Sequence, residues 1–265
     1  MNKGFVILAQ NTEHTDYVKC AEVLAKSIKR TMPNAKVALI NDNKIKSKVF
    51  DQVIKLPYGD LDPTGNWKLV NDWQVYEASP FDYTIKLEAD MFLPASIDHW
   101  WDILKDRDLV VSTTIRNFRQ EVSKERFYRR FIDDNNLPDC YNSITYFRKS
   151  ELADKFYKIV RNIFENWDDY KSILKCKSDE IVSTDWAYAI ACHILGRENT
   201  TLPHFEEMSM VHMKQWINGL PSEDWTKVFL YEMLPHTLRV QTFPQKYPFH
   251  YYIKNFSDKL EVAYK

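Results

Sequence analysis

The chain has 265 residues, 45% of them hydrophobic and 14% aromatic, enough apolar material to bury a full core in one large domain. Its 36 basic and 37 acidic residues nearly cancel, which excludes a global field favouring nucleic acid and leaves only local patches for that role. Cys20, Cys140, Cys176 and Cys192 show neither CxxC spacing nor a dense framework, and with no apolar stretch of membrane-spanning length they predict a soluble, cytoplasmic protein with no membrane partner.

Phe5 to Ala9 is a continuous apolar run of buried-strand type, entered directly from Met1-Asn2-Lys3-Gly4. Thr15 and Asp16 then open a helix in which Tyr17, Cys20, Ala21, Leu24 and Ile28 share one face, until Pro33-Asn34 ends it. Val37 to Ile40 and Phe50 to Leu56 are the next strands, Asn66 to Ala78 is helical in pattern, and Tyr83 to Leu87 is a fourth strand. This βαβ rhythm predicts an α/β fold with a mainly parallel sheet flanked by helices, and ligands at the strand ends. With only 5 glycines and no GxGxxG or GxxxxGK, the chain fits neither a dinucleotide dehydrogenase nor a P-loop enzyme.

The fourth strand leads into Lys86-Leu87-Glu88-Ala89-Asp90-Met91-Phe92-Leu93-Pro94. Side chains alternate along a strand, so Glu88 and Asp90 leave its end on one side, where they suit a divalent metal, a basic partner or exposure at a sheet edge. Asp108 to Ser112 is a further strand. Arg116 to Arg130 is basic and interleaved with Phe118, Phe127 and Tyr128, as an anionic acceptor would require or as a solvated helix neutralised by Asp133-Asp134 would show. Glu151 to Trp167 and Thr184 to Leu195 are helical. The Pro-, Tyr- and Phe-rich stretch from Thr242 to Tyr252 reads as an ordered, irregular C-terminal extension, so 1–220 is expected to form the main domain and 221–265 to pack on it.

In this order the segments resemble the glycogenin-like, family 8 glycosyltransferases of GT-A fold. FVILAQNTEHTDYVKCAEVLAKSIKRT resembles the family's opening strand, polar loop, Tyr and helix, and NWKLVNDWQVYEASPFDYTIKLEADMFLP its early-Lys helix and DxD strand. CYNSITYFRKSEL resembles its Phe-Asn-Ser-Gly segment, STDWAYAIACH its short Asp-led helix, and MVHMKQW the His that completes the metal site with the Lys and Trp after it.

The resemblance implies a metal-dependent transferase that moves a sugar from a nucleoside diphosphate donor, of UDP type, to an acceptor hydroxyl with retention. It implies Asp90 and His212 as ligands of manganese or magnesium, with Glu88 a third ligand or a ribose contact, and Lys214 as the cation on the phosphates. Tyr17 would stack on the base beside the loop from Ala9 through Asn11 and Thr12, Asp42 would meet the ribose, and Lys68 would hold the donor. Asn142 and Ser143 would contact the sugar, and Asp185 would stand near the anomeric carbon. A packing role for His212 and a helix cap at Thr184 or Asp185 are the structural alternatives.

The sequence departs from the family at Glu88 in place of Asp, at Ile144 in place of Gly and at Trp186 in place of Gln. A saccharide, a protein or hydroxymethylated DNA, the last in a phage-type enzyme, are the acceptors considered. A nucleotidyltransferase and a non-catalytic nucleotide-sugar-binding protein are the competing classes.

Overall fold

The computed structural model describes residues 2–62, 65, 67–177, 179–202, 207–234 and 237–263; Asn66, where one helix was expected to start, lies outside them. In chain order they form β1 (Lys3–Leu8), α1 (Tyr17–Thr31), β2 (Val37–Ile40), β3 (Gln52–Ile54), a 3-10 turn (Lys68–Gln74) leading into α2 (Val75–Ala78), β4 (Tyr83–Glu88), β5 (Met91–Phe92) and α3 (Trp100–Leu104). There follow β6 (Leu109–Ser112), β7 (Ile115–Arg116), α4 (Arg130–Asp134), β8 (Tyr141–Arg148), α5 (Glu151–Glu165), α6 (Trp167–Ile173), α7 (Thr184–Leu195) and α8 (Arg197–Thr200). The remainder is β9 (Met210–His212), α9 (Gln215–Asn218), β10 (Tyr231–Met233), β11 (Leu238–Val240), β12 (Phe243–Pro244), β13 (Phe249–His250) and α10 (Phe256–Ala263).

The main sheet runs β3-β2-β1-β4-β8-β6; the first four strands are mutually parallel and β8 is antiparallel to both its neighbours. Alternation along the strands feeds two apolar layers. On β1, Phe5 and Ile7 join the layer that contains α1, while Val6 joins the layer built on α5 and α7. Gly4 in that strand answers a packing demand, because a Cβ there would run into the Phe81 ring. Helix ends are set by short polar side chains: Asp16 accepts from the Lys19 amide at 3.0 Å, Ser150 from Ala153 and Ser183 from Trp186.

The segment before β4 opens as a tight 3-10 turn because its polar side chains serve a loop. Asn71 Oδ1 accepts from the Leu61 amide at 2.9 Å and Gln74 Oε1 from the Tyr58 amide at 3.0 Å, so Asn71 and Gln74 are buried with Trp73.

A second sheet runs β5-β13-β9-β7, with β13 antiparallel to β5 and parallel to β9, and β10-β11-β12 form a small antiparallel sheet. The residues after 220 are anchored by buried Trp225, whose indole donates to the Tyr251 carbonyl at 2.8 Å and packs against Tyr231, Phe249 and Phe256. Because β1, β2 and β4 are parallel, their C-terminal ends lie along one edge. There Gln10, Asn41 and Asp90 follow their strands.

Candidate active site

Glu88 ends β4 and Asp90 stands two residues on, just before β5, on the wall of a cavity of about 310 Å³. Tyr17, Trp67, Lys68, Tyr252 and Lys254 also line it. His250, from β13, brings Nε2 to 2.7 Å from Asp90 Oδ2 and 3.7 Å from Glu88 Oε2, and one ligand atom from each of the three side chains lies within 4.8 Å of the others. Lys254 also ion-pairs with Asp90 Oδ2.

The two carboxylates experience this environment differently. Burial works against ionisation of Asp90, but His250 and Lys254 outweigh it and hold the carboxyl well below the usual range. At Glu88 burial wins over His250, so that carboxyl is pushed up. Among the described residues no lysine or arginine ion-pairs with Glu88; it accepts from Ser143 Oγ at 2.6 Å, and His250 Nε2 lies 3.7 Å from its Oε2.

The histidine that faces the carboxylates is His250, while His212, the histidine expected at the metal site, stands behind it. His212 and His250 are register partners on adjacent parallel strands, so both rings leave the sheet on one side and stack, centroids 4.5 Å apart at 11°. His212 occupies the rear position: burial first, then His250, keeps its imidazole neutral, well below its ordinary value, and its Nδ1 has no hydrogen-bond partner in the described structure. The lysine on Asp90 is Lys254. Lys214 lies over the rings of Tyr128 at 4.9 Å and Tyr252 at 5.8 Å, with its pKa lowered by burial.

On the other flank, Asp185 stands in the first turn of α7, behind the Ser183 cap, so neither Thr184 nor Asp185 is the capping residue. Its Oδ1 accepts from the Asn142 amide at 2.9 Å and its Oδ2 from Arg129 at 2.9 Å. With its amide oriented to suit its neighbours, Asn142 also donates to Glu88 Oε1 at 3.2 Å and accepts from Lys86 Nζ at 3.0 Å. Lys86 is fully buried and pairs with Asp72 at 2.5 Å, which in turn accepts from Tyr188 at 2.6 Å. Asn142, Ser143, Glu88 and Asp185 thus belong to one connected polar network under the cavity.

Among the donor-side residues, Thr12, Tyr17 and Lys68 line the cavity. Lys254 Nζ lies 5.8 Å from the centre of the Tyr17 ring. Lys68 ion-pairs with Asp60 and lies 3.8 Å from Asp62, so it is held on the loop opposite. Asn11 and Ala9 have structural duties: Asn11 Oδ1 accepts from the Val18 amide at 2.9 Å, and the Ala9 amide donates to the Ile40 carbonyl at 3.0 Å. Asp42 follows β2 with a buried Oδ1 that has no hydrogen-bond partner among the described residues, and it is not among the residues lining the cavity.

His250, Lys254 and Tyr252 were missed from sequence. Their signal was present as Phe249-His250-Tyr251-Tyr252, a short apolar run enclosing a histidine with a lysine four positions on, inside a stretch read as irregular. Half of the basic residues in the run of 116 to 130 are consumed internally. Arg126 meets Asp133 and Asp139, Arg129 meets Asp139 and Asp185, and Arg116 is buried against Ser209 with Tyr247 on its face.

The residues at the cavity fit a divalent cation. One buried and one partly buried carboxylate and an imidazole offer a mixed oxygen and nitrogen set, and Glu88, with no lysine or arginine ion pair among the described residues, is the group such a cation would return to its ionised form.

A mainly parallel sheet whose fourth strand delivers an acidic pair to a cleft at the strand ends defines a GT-A-like α/β fold. The structure matches the galactosyltransferase LgtC, solved in complex with donor and acceptor sugar analogs, with a TM-score of 0.57 and 11% identity over 98% of this chain and 95% of that one. It also matches the apo-form glycosyltransferase GlyE of Streptococcus pneumoniae TIGR4 with a TM-score of 0.50 and 10% identity, covering 100% of this chain and 60% of GlyE. No protein-family model matches the chain, and no curated protein matches it in sequence. Among the described residues no helix is long and apolar enough to cross a membrane.

Proposed function

We propose that this protein is a metal-dependent glycosyltransferase that moves a sugar from a nucleoside diphosphate donor, of UDP type, to an acceptor hydroxyl. The observation that carries the reading is the convergence of Glu88, Asp90 and His250 in a cleft at the strand ends of a GT-A-like sheet. A divalent cation held by these three side chains, manganese by the nature of the donor set, would neutralise the diphosphate and act as Lewis acid on the departing oxygen.

The remaining parts of the reading belong to the chain's own residues. Tyr17 offers an aromatic face at the cavity wall for the base. Lys254, now on Asp90, is the nearby ammonium that the diphosphate oxygens would draw away. Asp185 and Asn142, fixed by Arg129 and by each other, would hold sugar hydroxyls while the bond from the anomeric carbon to phosphate oxygen breaks and the bond to the acceptor oxygen forms. The acceptor proton leaves with the nucleoside diphosphate. Retention follows the family that the sequence resembles.

Thermal unfolding with UDP, GDP and CDP, each with and without manganese, tests the reading. One nucleotide, UDP, stabilises strongly and only with the metal. Equal shifts for all three, or shifts indifferent to metal, overturn it.

A further inference from the structure

Phe127 and Trp216 stand side by side on the surface, 70% and 47% exposed, with ring centroids 4.9 Å apart and planes inclined at 45°. They come from distant parts of the chain, Phe127 from the turn before α4 and Trp216 from α9, so the pair is a product of the fold and not of local sequence. Contacts link it to the site. Phe127 adjoins Tyr128, whose ring lies 4.9 Å from Lys214 Nζ and whose hydroxyl is 3.1 Å from that of Tyr141, the neighbour of Asn142. Trp216 is two residues beyond Lys214, whose charge is felt by Asp185 and Glu88. Through Tyr128 and Lys214 the pair is linked both to Tyr141 and to Tyr252, which lines the cavity.

We propose that Phe127 and Trp216 form a stacking platform for a sugar ring of a saccharide acceptor. Resting on the transferase reading, the proposal adds the acceptor's class and its docking place. The C–H face of a pyranose is weakly positive and apolar, which matches the electron-rich face of an aromatic ring, while its hydroxyls stay at the rim in water. Local charge points the same way. Arg126 and Arg129 are engaged by Asp133, Asp139 and Asp185, Arg130 lies 3.9 Å from Asp134, and the Lys214 ammonium lies over the Tyr128 and Tyr252 rings. A neutral saccharide suits that setting; a phosphate backbone, which needs uncompensated cations, does not.

The full-length protein is tested on an array of neutral and acidic oligosaccharides and against oligothymidylate, with Trp216→Ala, Phe127→Ala and Trp216→Phe alongside. Donor-side integrity is followed separately by the thermal shift with UDP and manganese. The wild type is expected to bind at least one saccharide, Trp216→Ala and Phe127→Ala to weaken it roughly tenfold, and Trp216→Phe to stay within about threefold, with an unchanged donor shift throughout. The platform is overturned by saccharide binding that is equal in all four proteins, by no saccharide bound to the wild type, or by oligothymidylate binding in its place with steep salt dependence. A missing donor shift in the wild type, with the saccharide pattern intact, would remove the transferase reading and leave the platform standing.

Discussion

His212 and His250 lie face to face, ring centroids 4.5 Å apart, yet only His250 reaches the carboxylates of Glu88 and Asp90. The division of labour follows from the sheet. β13 lies between β5 and β9, so a ring on β13 faces the loop that carries Asp90, while a ring on β9 is one strand farther away. His212 then supplies an uncharged surface against which the imidazole of His250 is held flat.

His250→Ala and Asp90→Asn should each abolish the manganese-dependent part of the UDP thermal shift and lower turnover by about 100-fold or more. His212→Phe, which keeps a stacking ring, should retain both to within about tenfold. The reverse ranking would return His212 to the metal site.

The buried His212 also sets a direction for acid sensitivity. Its folded pKa lies well below the ordinary 6.5, because of burial and then of His250, so the unfolded chain takes up a proton near that pH while the folded one refuses it. Its contribution to stability is complete above 6.5 and declines as pH falls. Glu88, with its raised pKa, acts in the opposite sense as pH rises from its ordinary 4.5. Urea midpoints of metal-free protein from pH 8 to 5 should fall more for the wild type than for His212→Phe; parallel curves would contradict the assignment.

Lys254 neutralises Asp90 when no metal is bound. Lys254→Met leaves a buried carboxylate with His250 alone, and metal-free stability should drop by roughly 1–3 kcal/mol, less than for a fully enclosed pair because the lysine side chain is 28% exposed. Manganese should then stabilise the variant more than the wild type. Calorimetry with and without the ion reads both effects.

Beneath the cavity, Asp72→Asn removes the counter-charge of Lys86, whose side chain is 2% exposed. A loss of about 3–5 kcal/mol in urea unfolding is expected, against roughly 1–2 kcal/mol for Tyr188→Phe, which deletes only a hydrogen bond to that aspartate. Similar costs for the two would mean that the charge of Asp72 is not what Lys86 requires.

Arg129 reaches Asp139, Asp185 and the Cys140 carbonyl with one planar group. Arg129→Lys cannot reproduce that fork, so kcat should fall by about 100-fold while the donor KM moves by about threefold or less. A change confined to KM would assign Asp185 to donor binding alone.

Much of the fold could be read from residues because β1, β2 and β4 are apolar runs ended by polar turns, and α5 and α7 carry apolar faces behind serine caps. The acidic pair was legible for the same reason: it punctuates a strand. His250 was not, since β13 is two residues long and has no periodicity of its own; its strand character comes from β5 and β9, both remote in sequence. Lys254 was hidden with it. For the arginines between 116 and 130 neutralisation by Asp133-Asp134 was in view, but the further acidic partners Asp139 and Asp185 lie outside that window and only folding brings them together.

His250 and Asp90 are separated by 160 positions, and β13 is placed by α10 and Trp225, which also lie late in the chain. During synthesis the sheet edge, the acidic strand end and Tyr17 would therefore all have emerged from the ribosome well before His250 was there to meet them. A nascent chain stalled ahead of Phe249 would carry most of the scaffold and lack the third member of the Glu88, Asp90 and His250 cluster.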